Sequence, residues 1–191
     1  MNLLDPKIER AIEWLQRDNG EKFLSSDDHC HTRDIFEGRL IKMSSTMARM
    51  PKLENISAIV FAITGELGNN AFDHNLGKWR DEPGIYYFYD FEKRFIVIAD
   101  RGQGVLSSLR RVKPELKNDQ DALQTAFTEI ISGRAPEARG KGLKFVKQNC
   151  IANNFELYFS SGNAIYTIPD PWLHEEKKQI MLYGVFAVLS F

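Results

Sequence analysis

The chain has 191 residues, of which 43% are hydrophobic and 27% are charged, a balance that excludes a disordered or collagen-like protein. Its formal net charge is −1, so the overall charge gives no argument for nucleic acid or a membrane surface as a partner. The two cysteines form no disulfide framework, and the longest uncharged apolar run, 180–191, is too short to cross a bilayer as a helix. We therefore expect a cytoplasmic protein that binds neither nucleic acid nor a membrane.

The first third of the chain is predicted to be mainly helical. Residues 5–17 carry apolar side chains on one helical face, and a second helix is predicted over 32–47. Residues 18–31 are polar and are predicted to form a loop. A third helix is predicted to begin near Leu53, because apolar residues then repeat at spacings of three and four as far as Leu67.

The rest of the chain mixes strands with helices. Short β-branched and aromatic runs predict two hairpins: 85–89 with 95–98, and 155–159 with 164–168. An amphipathic helix is predicted between Asn118 and Gly133, another after the glycines at 140 and 142, and a buried strand in the last apolar run. This order predicts an α+β fold, a two-layer sandwich whose mostly antiparallel sheet carries helices on one face. We divide the chain into a helical N-terminal extension, 1–50, and a domain, 51–191.

The first motif with chemistry lies near the end of the third predicted helix. Glu66, Asn70 and His74 are four residues apart and form one polar stripe on a helix. Gly65 and Gly68 each cost a helix about 1 kcal/mol relative to alanine, which suggests that a ligand or a backbone approaches closely. The alternative is a solvated helix end, where such polar residues are common.

The second motif is the segment that follows the strand at 95–98. Asp100, Gly102 and Gly104 form the pattern Asp-x-Gly-x-Gly. The carboxylate can accept a hydrogen bond from an amino group such as the exocyclic amine of a purine, and the glycines let a ring or a phosphate approach the backbone. The alternative is a plain turn, because Asp and Gly are also turn residues.

The third motif opens the helix that follows it. Arg139, Gly140, Lys141, Gly142 and Leu143 combine two cations and two glycines with the free N–H groups of a helix start, which predicts an anion site. The alternative is an ordinary loop. The surrounding segment, 101–147, carries ten Lys or Arg against five acids, so it is net positive although the whole chain is not.

Together, the order and spacing of the three motifs resemble the GHKL family, the histidine-kinase-like ATPases. The matching residues are Glu66 and Asn70 in the N box, Asp100, Gly102 and Gly104 in the first glycine box, and Gly140, Gly142 and Leu143 in the second. The resemblance covers about residues 53–168. It implies the family's Bergerat fold, with a mixed, mostly antiparallel sheet and a mobile ATP lid over about 104–139.

The resemblance also implies ATP and Mg²⁺ as cofactors. Asn70 would coordinate Mg²⁺, and Asp100 would bind adenine between the walls formed by Gly102 and Gly104. The phosphates would lie against Gly140, Gly142, Leu143 and the helix start. His74, Arg139 and Lys141 would lie near the nucleotide, although either of the last two can simply be solvated.

Glu66 would be the general base, because family members that hydrolyse ATP or phosphorylate serine carry a glutamate here. Within the family, the chain resembles in kind the anti-sigma factors that phosphorylate a serine. The chain would then transfer the γ-phosphate to a hydroxyl of a small cytoplasmic partner, of the STAS-like type by analogy, or hydrolyse ATP slowly. A homodimer is left open.

Other interpretations also remain open. The chain can instead be a nucleotide-dependent switch that docks a partner through its lid, with a helix at 119–132 that exposes Leu123 and Phe127 on opening. A degenerate homologue that binds nothing is a third interpretation. Separately, His29 and His31 flank Cys30 and resemble half of a metal site, but the sequence shows no second cluster.

Overall fold

The computed structural model describes residues 5–130, 142–169 and 182–191. The described strands are β1 His29–Cys30, β2 Ile85–Asp90, β3 Phe95–Asp100, β4 Glu156–Gly162, β5 Ala164–Ile168 and β6 Leu182–Ser190. The described α-helices are α1 Pro6–Gln16, α2 Arg33–Met47, α3 Ser57–Asn75, α4 Gly104–Leu109, α5 Asp119–Thr128 and α6 Gly142–Asn153. A short 3-10 turn, Glu54–Ile56, precedes α3. The fold is therefore α+β.

Three of the predicted helix starts carry a side-chain cap. Asp5 accepts a hydrogen bond from the Lys7 backbone N–H before α1, and Thr32 caps α2 in the same way. Asn118 caps α5. Each cap satisfies one of the N–H groups that a helix start leaves unpaired. The bounds of α1 and α2 confirm the helices predicted over 5–17 and 32–47. Of the two caps that the sequence allows for α5, Asn118 or Asp119, the structure shows Asn118.

The six strands form one sheet in the order β1-β2-β3-β6-β4-β5. Both predicted hairpins are confirmed, and β6 lies between them, so that Phe186 pairs with Ala99 of β3 and with Ser160 of β4. The prediction of a mixed sheet is not met, because every described pairing is antiparallel. The reason is the position of β6, which separates β3 from β4 and runs opposite to both.

Both faces of the sheet are covered by helices. Ile96 and Ile98 of β3 share a core with α2, α3, α5 and α6. Val97 and Ala99, which point the other way, share a second core with α1. The prediction of helices on one face therefore fails for α1. Because β3 and β6 are apolar on both faces, each face needs an apolar cover.

The region predicted as a lid contains α4 and α5. Leu123 and Phe127 of α5 are fully buried, and the Phe127 ring stacks on Tyr166 with centroids 4.0 Å apart. α5 ends at Thr128, and the rest of the predicted helix and its stop at Gly133 lie largely outside the described residues. Within the described residues, none of the helices is long and apolar enough to span a membrane.

Candidate functional site

The polar stripe of α3 lies beside the core. Glu66 is exposed, and Asn70 and His74 are half-buried. Glu66 and His74 are eight positions apart, which corresponds to about 12 Å along a helix axis. Val60, Ile63 and Leu67 are buried and hold the helix against the sheet. The stripe is thus a row of a carboxylate, an amide and an imidazole on a helix that packs against the sheet.

The glycines of α3 serve helix packing. A Cβ at Gly68 would overlap the Phe36 ring of α2, and a Cβ at Gly65 would lie 3.4 Å from Leu40 Cδ2. Both glycines are buried. The groups that approach these two glycines closely are therefore side chains of α2. The glycines give no reason to expect a bound ligand at these positions.

The start of α6 lies against the exposed end of the stripe. A Cβ at Gly142 would lie 2.6 Å from Glu66 Oε2 and 3.3 Å from Asn70 Nδ2. The first motif and the end of the third therefore meet, and only a glycine leaves the space between them open. Leu143 is half-buried and packs on the main core. Arg139, Gly140 and Lys141 lie outside the described residues.

The other end of the stripe contacts the second motif. His74 Nδ1 lies 2.7 Å from Ser108 Oγ of α4, which is a hydrogen bond. The Gln103 side-chain amide donates to the His74 backbone carbonyl. One helix therefore joins the residues of the second motif to the beginning of α6.

Asp100 is the buried carboxylate at the end of β3, with only 1% of its surface exposed. Its Oδ1 accepts hydrogen bonds of 2.9 Å from Asn75 Nδ2 and from the Gly102 backbone N–H. Burial raises the pKa of Asp100 to about 7, although hydrogen bonds from Gly102, Asn75 and Val185 act in the opposite direction. This carboxylate therefore titrates near neutral pH.

Asn75 is a site residue that the motifs do not include. It is buried at the end of α3 and binds Asp100 through Nδ2, and its Oδ1 accepts from the Gln103 backbone N–H at 3.0 Å. A Cβ at Gly102 would overlap the Asn75 amide. The only hint of Asn75 in the sequence is that an amide side chain directly follows His74. In the structure, Asn75 lies on the side of the helix that faces the core.

Ser161 of β4 supports the same turn from the other side. Its hydroxyl accepts from the Val105 backbone N–H and donates to the Gly184 carbonyl, both at 3.0 Å. Gly104 starts α4 at a φ of +74°, a left-handed conformation that favours glycine. No local pattern marks Ser161, because its position depends on the register of β4 against β6.

Arg101 lies within the second motif but faces away from the stripe. It is completely buried and donates to the backbone carbonyls of Trp14 and Arg17 and to the carboxylate of Asp81. Burial alone would raise the pKa of Asp81, but hydrogen bonds from Arg101, Gly20 and Glu82 lower it to about 2. Arg101 therefore anchors α1 and the loop before β2 to the end of β3.

The arrangement combines four chemical capacities. It offers an exposed carboxylate, an amide oxygen, a helix that starts with a glycine, and a buried carboxylate that accepts hydrogen bonds.

In comparisons with known proteins, no protein-family model matches the chain, and the curated proteins give no match.

Proposed function

We propose that this chain is a stand-alone ATP-binding protein of the GHKL type, which transfers the γ-phosphate of ATP to a hydroxyl of a partner protein or, slowly, to water. One observation carries the proposal: α3 touches both glycine motifs, with Gly142 against Glu66 and Asn70 and with Asn75 against Asp100. Asp100 and Gly142 thus contact α3 near its two polar ends, which supports the proposal of a nucleotide site along this helix.

The adenine base would bind at the Asp100 end. A carboxylate is an acceptor for the exocyclic amine of adenine, and Asn75 and the Gly102 N–H keep that carboxylate in a fixed orientation. Gly102 and Gly104 would wall the base. His74 is the end of the stripe nearer to Asp100 and is held by Ser108, so it would lie near the base end of the nucleotide.

The phosphates would bind at the Gly142 end. Free N–H groups at the start of α6 favour an anion, and the absence of a Cβ at Gly142 leaves a space beside Glu66 and Asn70. The Asn70 side-chain oxygen suits Mg²⁺, which prefers oxygen ligands and neutralises phosphate charge when bound. By the resemblance, Arg139, Gly140, Lys141 and Leu143 would also contribute to phosphate binding.

Glu66 would act as the general base. Its carboxylate would accept the proton of a serine, threonine or water hydroxyl while that oxygen forms a bond to the γ-phosphorus. The bond between the γ-phosphorus and the β–γ bridging oxygen breaks, and ADP leaves with that oxygen. Glu66 is exposed, which suits a base whose substrate hydroxyl is delivered by another protein. The choice of a small STAS-like partner rests on the resemblance alone.

The test compares wild type with Glu66→Gln, using ATP labelled at the γ-phosphate and cell lysate. Removing a general base lowers the rate by about 100-fold or more, so label on a small protein should disappear in Glu66→Gln. Glu37→Gln, an exposed glutamate of α2, is the matched control and should keep the label.

The same experiment separates the proposal from its main alternative. Equal labelling in wild type and Glu66→Gln would contradict the role of Glu66. Absence of label, together with a partner that binds wild type and Glu66→Gln only when ATP is present, would favour the binding switch.

A further inference from the structure

A cluster of metal-ligating side chains lies at the β1 edge of the sheet, apart from the α3 stripe. His29, His31 and Glu82 each offer one ligand atom, and these atoms all lie within 4.8 Å of one another. His29 and His31 come from β1 and the residue after it, and Glu82 comes from the loop before β2. Glu82, the third member of the cluster, lies about fifty positions after His31, so the sequence alone did not indicate it.

The local backbone explains how these side chains meet. In an extended segment, alternate side chains point to the same side, so His29 and His31 share one side and Cys30 points to the other. Cys30 lies in the main core, where Arg39 donates to its sulfur. A Cβ at Gly84 would lie 2.9 Å from His29 Nε2, so a glycine lets the loop that carries Glu82 approach β1 closely.

The cluster contains buried polar atoms without a partner. His29 is 2% exposed, and its Nε2 has no hydrogen-bond partner within the described structure. Glu82 Oε2 is also buried and has no partner among the described residues. Buried polar atoms are normally hydrogen-bonded, so two such atoms in one cluster require an explanation.

A simple ion pair does not explain them. His29 Nδ1 and Glu82 Oε1 are 3.6 Å apart, which is beyond hydrogen-bond range, and the pair leaves Nε2 and Oε2 unsatisfied. A ring nitrogen of an imidazole is a common metal ligand, and the unpartnered Nε2 of the buried His29 suits that role.

We propose that His29, His31 and Glu82 bind one divalent transition-metal ion, of which Zn²⁺ is the best match. Two imidazoles and one carboxylate are a common ligand set for Zn²⁺ and leave a further position for water. Mg²⁺ prefers oxygen ligands, so this site differs in chemistry from the site proposed at Asn70. The ion would tie the segment before α2 to the loop before β2, and Asp81 in that loop already binds Arg101.

The test is a calorimetric titration of the untagged, metal-free chain with Zn²⁺, in the absence of nucleotide. Wild type, His31→Ala and Glu82→Gln are compared with Glu21→Gln as the matched control. Both His31 and Glu21 are exposed, so neither substitution disturbs a core. Co²⁺ in place of Zn²⁺ adds a visible absorption band that reports imidazole ligands directly.

We expect one Zn²⁺ per chain in wild type and in Glu21→Gln, and binding at least about 100-fold weaker in His31→Ala and Glu82→Gln. Circular dichroism should show both weak binders to be folded. Failure of the wild-type chain to bind Zn²⁺ would overturn the proposal. Binding of equal strength in His31→Ala and Glu82→Gln would also overturn it.

Discussion

The substitution Gly142→Ala tests the proposed phosphate site, because it should reduce ATP turnover without lowering the stability of the fold. The added Cβ would lie 2.6 Å from Glu66 Oε2, a distance that real Cβ atoms do not tolerate. The Glu66 carboxylate is the end of an exposed, flexible side chain, so it can move away at little cost. Alanine in place of a helical glycine also favours the helix by up to about 1 kcal/mol. The variant should therefore be as stable as wild type or slightly more stable.

Activity should respond in the opposite direction. Ordinary van der Waals contacts begin at 3.4 Å, so the carboxylate must retreat by about 0.8 Å. A displacement of about 1 Å at a reacting group can reduce a rate about 100-fold. The methyl group also fills the space proposed for phosphate. We expect ATP turnover to fall by about 10- to 100-fold in Gly142→Ala.

The measurements are the free energy of unfolding in guanidinium chloride and the rate of ATP hydrolysis. Gly38→Ala is the matched control, because Gly38 is also helical and a Cβ there would meet nothing within 4 Å. It should gain similar stability and keep full turnover. If the Gly142→Ala protein hydrolyses ATP at the wild-type rate, the space between Gly142 and Glu66 is not needed for turnover, and the proposed phosphate site is wrong.

Three further predictions concern the framework of the site. Gly68→Ala drives a methyl group into the buried Phe36 ring and should lower the free energy of unfolding by about 1–3 kcal/mol, measured by chemical denaturation; an unchanged midpoint would contradict the packing. Arg101→Met removes the ion-pair partner of Asp81 and should cost about 3 kcal/mol or more, part of which an added Asp81→Asn should restore. Burial raises the pKa of Asp100 from 3.8 to about 7, so across that window the folded chain holds a proton that the unfolded chain has lost, and stability should fall as pH rises. Calorimetry should find a flatter pH dependence in Asp100→Asn, and an identical slope would count against this burial effect.

Local pattern was enough to predict most of the elements. The β-branched and aromatic runs predicted both hairpins because alternation and turn residues act over a few positions. The apolar repeat predicted α3, although its first turn forms the 3-10 segment Glu54–Ile56 and the α-helix begins at Ser57. The stripe of Glu66, Asn70 and His74 follows from helical geometry alone.

Features that depend on distant contacts were not predictable in this way. The strand β1 has two residues, and its partner β2 lies more than fifty positions later. The prediction of a loop over 18–31 therefore missed β1. Amphipathic spacing shows which side of α1 is apolar but not which face of the sheet it covers. Ser161 contacts the second motif across 56 residues, a distance over which no local pattern acts. The amide of Asn75 lies next to the stripe in the sequence, but its contact with Asp100, 25 residues away, also depends on the tertiary fold.

The central claim is that the chain binds ATP with adenine at Asp100. The most direct test is a calorimetric titration with ATP and Mg²⁺, comparing wild type with Asp100→Asn. Asparagine keeps one oxygen for Asn75 and Gly102 but presents an NH₂ group where the adenine amine needs an acceptor. We predict one ATP per wild-type chain, at least about tenfold weaker binding in Asp100→Asn, and weaker binding of GTP than of ATP. Equal ATP affinity in the two proteins, or no ATP binding by wild type at millimolar concentration, would contradict the claim.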